Sequence, residues 1–277
     1  MSFSIDPSLA QGRAEEPARV RPGFLIALGA ILAGGALAVS FLGYLETRNR
    51  LEDMEYALET LVFARSPEYY RVHVARADSA RFANAELGGV GSFVNRNDLL
   101  THALSLVDPD RGGLIAEFGV FRGASINHLA RHTERTIHGF DSFEGLPEKW
   151  GEGFEAGKFR IDGLPRVREN VVLHKGWFDE VLPGFREAHP EPVDFLHMDA
   201  DLYSSTATVL EMLGDRIRPG TVIVFDEFLG YPGWEQGEFL AFREFVARRD
   251  VEFEYIGWVP GDQQVAVRIE SLGGSTE

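Results

Sequence analysis

The sequence predicts an α/β fold in which a mostly parallel sheet is covered by crossover helices. From residue 113 onward, short apolar runs alternate with segments of helical spacing, a pattern typical of a parallel sheet. The runs are GLIAEFG, TIHGFD, VVLHKG, VDFLHMDAD and GTVIVFDEF, and segments such as SINHLARH and TATVLEMLGDRI suit the helices between them. Two last runs, EFEYIGW and QQVAVRI, flank a short turn at Pro260 and Gly261, which predicts an antiparallel hairpin at the end of the sheet.

The composition excludes several classes of function. The chain has 277 residues, 44% of them hydrophobic, which is enough for one large domain or two small ones. Its formal charge of −16 and scattered Lys and Arg residues argue against a nucleic-acid surface, because phosphate binding needs a basic stripe. The absence of cysteine excludes disulfides, thiolate nucleophiles and zinc-thiolate sites.

The first part of the chain is organised differently from the α/β part. Helical spacing predicts helices in LETRNRLEDMEYALETLVFA and in RNDLLTHALSLV. The predicted organisation is a disordered tail (1–22), a transmembrane anchor (23–45), a helical linker and N-terminal cap (46–110), the α/β domain (111–270) and a second tail (271–277).

The predicted anchor is FLIALGAILAGGALAVSFLGYL, Phe24 to Leu45, which is uncharged and about as long as the ~20 residues that span a bilayer. A buried core helix is the first alternative, but such helices are usually shorter and have a polar face. A signal peptide cleaved after Ala36-Leu37-Ala38 is the second, and the continuation of the apolar stretch to Leu45 argues against it. Small residues at four-residue spacing, such as Gly29 and Ala33, would allow two such helices to pair in a homo-oligomer.

The ends of the first two runs predict a nucleoside site. In EFGVFRGAS, Glu117 to Ser125, the glycines at 119 and 123 would let the backbone pass close to a ligand, although glycines also close such turns for packing alone. The motif is not the G-x-G-x-x-G of a pyrophosphate site. Asp141 ends the second run, where an acid commonly binds ribose hydroxyls, but a turn or helix cap would also use Asp-Ser here. An adenosyl site without a pyrophosphate site fits S-adenosylmethionine.

Five motifs resemble those of the macrocin O-methyltransferase family of class I methyltransferases: EFGVFRGAS, GFDSFEGLP, KGWFDEVLP, HMDADLYSST and VFDEF, in that order. The resemblance spans residues 95–269. It implies a Rossmann-like, seven-stranded, mostly parallel sheet, S-adenosylmethionine as methyl donor, and a divalent metal, usually Mg²⁺, beside the acceptor hydroxyl. It also implies a donor site formed by Glu117, Gly119, Val120, Gly123, Ser125, Asp141, Ser142, Gly176, Trp177 and Phe178, with the last three near the adenine. The implied metal ligands are Asp199, Asp226 and Glu227.

The acids after the fourth and fifth runs have a physical reason to form a metal site. In the usual strand order of this fold these two strands are neighbours, so that Asp199 and the pair Asp226-Glu227 would converge. Three carboxylates with room for water and a substrate oxygen suit Mg²⁺. Solvated turn residues are the alternative, and Asp201 could simply cap the next helix.

The expected reaction is methyl transfer from a sulfonium to a hydroxyl group. The metal would lower the hydroxyl pKa, and a nearby group would accept the proton. Asp199 is the first candidate for this base. His197 shares its strand face but lies deeper, and it is predicted to be a hydrogen-bonded core residue, as are His138 and His174. Tyr231, Trp234 and Glu235 are predicted acceptor contacts.

Two other function classes remain open at this stage. A nucleotide-dependent oxidoreductase is disfavoured by the missing third glycine, and a membrane-tethered binding module without catalysis is disfavoured because the acids for donor and metal are all present. The resemblance favours a sugar or glycan hydroxyl as acceptor, and the predicted anchor suggests a lipid-linked one. Because S-adenosylmethionine is made in the cytosol, we predict a single-pass membrane protein whose catalytic domain faces the cytosol.

Overall fold

A computed structural model describes residues 44–54 and 66–273 of the chain. The chain divides into two compact units, Met1–Ser66 and Pro67–Glu277. In the first unit the described residues 44–54 form helix α1. The second unit contains the sheet and the candidate site.

One seven-stranded sheet forms the centre of the second unit. Its strands are β1 (Leu114–Phe118), β2 (Ile137–Asp141), β3 (Val171–Lys175), β4 (Val193–Met198), β5 (Val222–Phe225), β6 (Val251–Trp258) and β7 (Val265–Leu272). They lie in the order β3-β2-β1-β4-β5-β7-β6. Strands β1 to β5 are parallel, and β7 runs antiparallel to both β5 and β6. The predicted seven-stranded, mostly parallel sheet with a C-terminal antiparallel hairpin is confirmed.

Helices connect the strands and cover both faces of the sheet. They are α2 (Pro67–Glu86), α3 (Arg96–Ser105), α4 (Ala124–Leu129), α5 (Phe178–Ala188), α6 (Tyr203–Leu213) and α7 (Glu238–Arg249). Helix α3 begins where Asn95 caps it, since the Asn95 side chain accepts a hydrogen bond from the backbone N–H of Asp98. The two faces bury separate apolar clusters, one around Phe118, Phe225 and Phe242 and the other around Leu99, Ile115 and Val224.

The register of the sheet decides where the acidic residues stand. Phe118 of β1 pairs with Met198 of β4, which in turn pairs with Phe225 of β5. The residue that follows β4 is Asp199 and the residue that follows β5 is Asp226, so both strands are followed by an acid. The two carboxylates therefore leave neighbouring strands at the same level, as the sequence predicted.

The predicted membrane localisation is corrected by the structure. Among the described residues no helix combines the length and the apolar character needed to cross a bilayer. Helix α2 has 20 residues, but charged side chains such as Arg71, Asp78 and Arg81 recur along it, and charges are costly inside hydrocarbon. The predicted anchor, Phe24 to Leu45, lies outside the described residues except for its last two. The prediction of a single-pass membrane localisation is wrong for the part of the chain that the structure describes.

Candidate active site

A cavity of about 760 Å³ opens at the carboxyl ends of the parallel strands. Most of the residues that line it come from the segments that follow β1, β2, β3, β4 and β5, and Arg96 comes from the start of α3. Ten of the predicted site residues lie in its wall: Gly119, Val120, Ser125, Asp141, Ser142, Trp177, Phe178, Asp199, Asp226 and Glu227. The candidate donor residues and the candidate metal ligands thus share one cavity.

The turn after β1 depends on glycine at position 119. Gly119 has a φ of +95°, and a Cβ added there would lie 1.6 Å from the carbonyl oxygen of Asp199. The backbones of the turns after β1 and β4 therefore touch at this point, and a side chain would push them apart. The Gly119 N–H donates to the carbonyl of Phe140 at 2.9 Å, which joins the end of β2 to the same turn.

Asp141 organises the donor side of the cavity. One of its carboxylate oxygens accepts hydrogen bonds from the backbone N–H groups of Val120 (2.9 Å) and Phe121 (2.7 Å), and the other from that of Phe143 (2.6 Å). Three donors fix the direction of this carboxylate at the mouth of the cavity. Each carboxylate oxygen has two acceptor sites, so that a ribose hydroxyl can still bind beside these N–H groups.

Glu117 lies beneath the cavity and not in its wall. It is fully buried and accepts a hydrogen bond from Ser125 Oγ at 3.0 Å, while its other oxygen lies 2.8 Å from Nδ1 of His197. His197 is also fully buried. Burial alone would lower the pKa of His197, but the carboxylates of Asp226 and Glu117 raise it to about 10. The His197 ring thus lies between Glu117 and Asp226, with Nδ1 2.8 Å from Glu117 Oε2 and Nε2 3.5 Å from Asp226 Oδ1.

Arg96, at the start of α3, joins the two acids that follow β4 and β5. Its guanidinium Nη1 donates to Oδ2 of Asp226 at 2.9 Å and to Oδ2 of Asp199 at 3.1 Å. The first residue of a helix in the N-terminal part of the chain thus supplies the counter-charge to carboxylates more than a hundred residues away. No local motif in the sequence marks Arg96 as a site residue.

The acids around this contact differ in their affinity for protons. Burial and the nearby Asp226 charge raise the pKa of Asp199 well above its ordinary value, and the same two causes act on Glu227. Burial would also raise the pKa of Asp226, but contact with His197 and Arg96 lowers it instead. Asp201 lines the same cavity, and burial together with the charges of Asp226 and Asp141 raises its pKa to about 7. The cluster therefore has too little positive charge for its carboxylates.

A divalent cation fits this cluster. Ligand atoms of His197, Asp199 and Asp226 lie within 4.8 Å of one another. Oδ1 of Asp226 and Oε2 of Glu227 are buried without a hydrogen-bond partner, as is Nε2 of His197, 3.5 Å from Asp226 Oδ1. Buried polar atoms normally have partners, so these oxygens point to a missing one. Carboxylate oxygens are the ligands that Mg²⁺ prefers.

Comparison with known proteins finds a similarity in the central part of the chain. The family model for a methyltransferase domain matches residues 116–228. These residues are similar to a methyltransferase domain. They include the last three residues of β1, all of β2 to β5 and every candidate metal ligand, and this match does not establish the more specific macrocin type.

Two enzymes of Streptomyces are related in sequence. The chain is 30% identical over 141 residues to the 8-demethyl-8-(2,3-dimethoxy-alpha-L-rhamnosyl)-tetracenomycin-C 4'-O-methyltransferase of Streptomyces olivaceus, covering 42% of this chain and 53% of that enzyme. It is 27% identical over 169 residues to the demethyldecarbamoylnovobiocin O-methyltransferase of Streptomyces niveus, covering 52% of this chain and 62% of that enzyme. The matches thus span less than two thirds of either relative. Among solved structures, the calicheamicin methyltransferase CalS11 is 25% identical, with 62% of this chain and 76% of that chain covered and a TM-score of 0.49.

Several of the predicted site residues lie outside the cavity wall. Gly123 and Gly176 both have positive φ and shape the turns after β1 and β3. Tyr231 is not in the wall either. Trp234 and Glu235 line a separate cavity of about 350 Å³ with Phe82, Phe239, Asp78 and Arg81. The roles of Tyr231, Trp234 and Glu235 as acceptor contacts stay predictions.

The other two predicted core histidines lie away from the cavity. Nδ1 of His138 lies 3.1 Å from Nε2 of His174, and the ring of Phe185 packs against both. Burial and the neighbouring imidazoles of His174 and His189 lower the pKa of His138 to about 4. His138 and His174 are therefore packed residues of the sheet face.

Glu238 is a second residue of the site that no sequence motif marks. It is the first residue of α7 and fully buried, and its carboxylate contacts the segments that follow β4 and β5. Nothing in the local sequence separates it from the exposed glutamates that commonly begin helices.

Proposed function

We propose that this protein is an S-adenosylmethionine-dependent O-methyltransferase that acts on a hydroxyl group of a sugar, glycan or glycosylated metabolite, with Mg²⁺ as a second cofactor. The observation that carries this proposal is the convergence, in one cavity, of the Gly119 turn, Asp141 and the acids Asp199, Asp226 and Glu227. A donor site alone would not require an acidic cluster on its far side.

The donor half of the proposal is supported by the charge of the cavity. Acidic side chains in its wall outnumber the basic ones, Arg96 and Arg122. Such a wall favours a ligand with a sulfonium and an ammonium group over a dinucleotide with its negatively charged pyrophosphate. Asp141 would bind the ribose hydroxyls, and Trp177 and Phe178 would pack near the adenine.

The metal half is supported by the unpartnered oxygens of Asp226 and Glu227. Asp199, Asp226 and Glu227 are the proposed ligands. When bound, Mg²⁺ would polarise the acceptor hydroxyl and lower its pKa. His197, held under the cluster by Glu117, would keep the Asp226 carboxylate in place from below.

The reaction itself needs one proton acceptor. The hydroxyl oxygen forms a bond to the methyl carbon as the bond from that carbon to sulfur breaks, which leaves S-adenosylhomocysteine. The hydroxyl proton moves to a carboxylate, for which Asp199 is our first candidate. Asp199 lines the cavity in which the acceptor hydroxyl would bind.

The acceptor class is proposed from the relatives. The tetracenomycin enzyme is named for a methoxylated rhamnosyl compound as its substrate. A sugar hydroxyl next to a second oxygen would suit a metal-assisted site, because two neighbouring oxygens can bind one cation.

Isothermal titration and methyl transfer test the proposal together. The full chain should bind S-adenosylhomocysteine and not NAD. With labelled S-adenosylmethionine and a panel of rhamnosides and other glycosides, transfer should stop in EDTA and return with Mg²⁺. Asp226→Asn should behave like the EDTA-treated enzyme. Binding of NAD alone would contradict the donor assignment, and full turnover in EDTA would remove the metal.

A further inference from the structure

The fully buried carboxylate of Glu238 connects the two segments that carry the candidate metal ligands. Its Oε1 accepts hydrogen bonds from the backbone N–H of Ala200 (3.3 Å) and from Thr206 Oγ1 (3.3 Å). Its Oε2 accepts a hydrogen bond from the backbone N–H of Glu227 at 3.0 Å. Ala200 directly follows Asp199. The Glu238 side chain therefore holds the backbone next to one candidate ligand, Asp199, and the backbone of another, Glu227.

Burial of this carboxylate needs an explanation, because a buried acid costs free energy unless its partners compensate. A leucine or methionine at this position would fill the same space without that cost. The three groups that donate hydrogen bonds to Glu238 all belong to the segments after β4 and β5 or to the first turn of α6. It does not line the main cavity. Its contacts therefore serve the geometry of the two segments and not a ligand.

The position of Glu238 is itself fixed by packing. Gly237 immediately precedes it, and a Cβ at Gly237 would lie 2.1 Å from the hydroxyl of Tyr231. The loop after β5 thus closes tightly on the start of α7. A glycine at 237 permits that approach and places the Glu238 side chain under both segments.

We infer that Glu238 is a positioning residue that sets the distance between Asp199 and Glu227 and thereby the affinity of the site for a divalent cation. The inference rests on the metal half of the proposed function. Groups that orient metal ligands without touching the metal commonly change metal affinity by about 10-fold to 100-fold when they are replaced.

Titration of the full chain with Mn²⁺ tests the inference, with Glu238→Gln and Glu238→Ala compared with the native protein. Gln keeps one acceptor oxygen and loses the other, whereas Ala loses both. Mn²⁺ should bind about tenfold more weakly to the Gln variant and more weakly still to the Ala variant. The affinity for S-adenosylhomocysteine should change much less, because none of the Glu238 contacts involves the Gly119 turn or Asp141.

Asp194→Asn is the matched control for lost stability. Asp194 is also fully buried, but it lies at the opposite, amino-terminal end of β4 and pairs with Arg111, Arg135 and Arg218. This variant should lower the melting temperature and leave the Mn²⁺ affinity of the folded protein unchanged.

The outcomes separate the inference from the proposed function. If the native chain binds no Mn²⁺, the metal half of the proposal fails and the inference fails with it. If the native chain binds Mn²⁺ and Asp226→Asn does not, the metal half stands. In that case an Mn²⁺ affinity of Glu238→Gln equal to that of the native protein overturns the inference alone and makes Glu238 a stability residue, whether or not the Ala variant folds.

Discussion

Replacing Arg96 by methionine should strengthen the binding of a divalent cation. The guanidinium Nη1 occupies Oδ2 of both Asp199 and Asp226, at 3.1 and 2.9 Å. A cation that binds these two carboxylates has to share them with Arg96 or displace it. Methionine keeps an apolar stem in the same place and removes the charge.

The magnitude follows from the exposure of the contact. A hydrogen bond to a charged group contributes about 1.5 to 3 kcal/mol when it is buried. The Arg96 side chain is 33% exposed, so solvent screening places the contact near the lower end of that range. About 1.4 kcal/mol corresponds to a factor of ten in a dissociation constant. We therefore expect Mn²⁺ to bind Arg96→Met about tenfold more tightly than the native chain.

The assay is calorimetric titration with Mn²⁺, together with melting curves in EDTA and in Mn²⁺. Without metal, Arg96→Met should melt below the native protein, because Asp199 and Asp226 then repel each other without a counter-charge. Added Mn²⁺ should raise its melting temperature by more than it raises that of the native chain. Arg122→Met is the matched control, since Arg122 also lines the cavity but lies over the ring of Phe121, 4.9 Å from its centroid. Weaker or unchanged Mn²⁺ binding by Arg96→Met would refute the competition.

Three further predictions follow from the same structure. Asp141→Ala should weaken the binding of S-adenosylhomocysteine by about tenfold or more, because three backbone N–H groups and the ribose lose their acceptor. Calorimetry should show an unchanged Mn²⁺ affinity, and an equal loss of donor and Mn²⁺ affinity would show that the two halves of the site are not separate. Gly119→Ala should cost about 2 kcal/mol or more in the free energy of unfolding, because the added carbon meets the Asp199 carbonyl at a positive φ; urea unfolding with native stability would disprove this. His138 has a pKa of about 4 in the folded protein against an ordinary 6.5, so its contribution to stability is complete above pH 6.5. About 3 kcal/mol of that contribution is lost as the pH falls towards 4. His138→Phe should flatten this part of the curve of stability against pH, and an unchanged slope would contradict the assignment.

The sheet could be predicted from the sequence because its signals are local. All seven runs became strands, since each is a short apolar segment bounded by turn residues. Helix α2 was not predicted, because its sequence carries no comparable signal. Its buried positions are Ala75, Ser79 and Ala83, small residues at four-residue spacing, so the face that packs inward carries no large apolar stripe.

The site could be predicted only where the residues follow strands. Asp199 and Asp226 were placed correctly because the carboxyl ends of neighbouring parallel strands meet at one edge of the sheet. Arg96 contacts them across sequence separations of 103 and 130 residues, and no pattern rule reaches that far. Glu238 was missed because its burial depends on the packing of Gly237 against Tyr231, which the sequence does not reveal.

The two ends of β4 show why the cluster needs a ligand. At the amino-terminal end, both oxygens of Asp194 are used: Oδ1 by Arg111 and Arg218, and Oδ2 by Arg135 and the backbone N–H of Gly113. Burial would raise its pKa, but these donors lower it, so that the carboxylate is stable as an anion.

At the carboxyl-terminal end the same type of group is left without enough donors. The pKa of Asp199 and that of Glu227 are raised, and Arg96 reaches one oxygen of each acid that it contacts. The fold neutralises the buried Asp194 fully at one end of β4. The shortage of positive charge around Asp199 and Glu227 at the other end is therefore a property of the site. A bound cation would supply the missing charge, so Mn²⁺ or Mg²⁺ should stabilise the native chain against unfolding and leave Asp226→Asn unaffected. Equal melting temperatures of the native chain with and without metal would show that protons, and not a metal ion, neutralise the cluster.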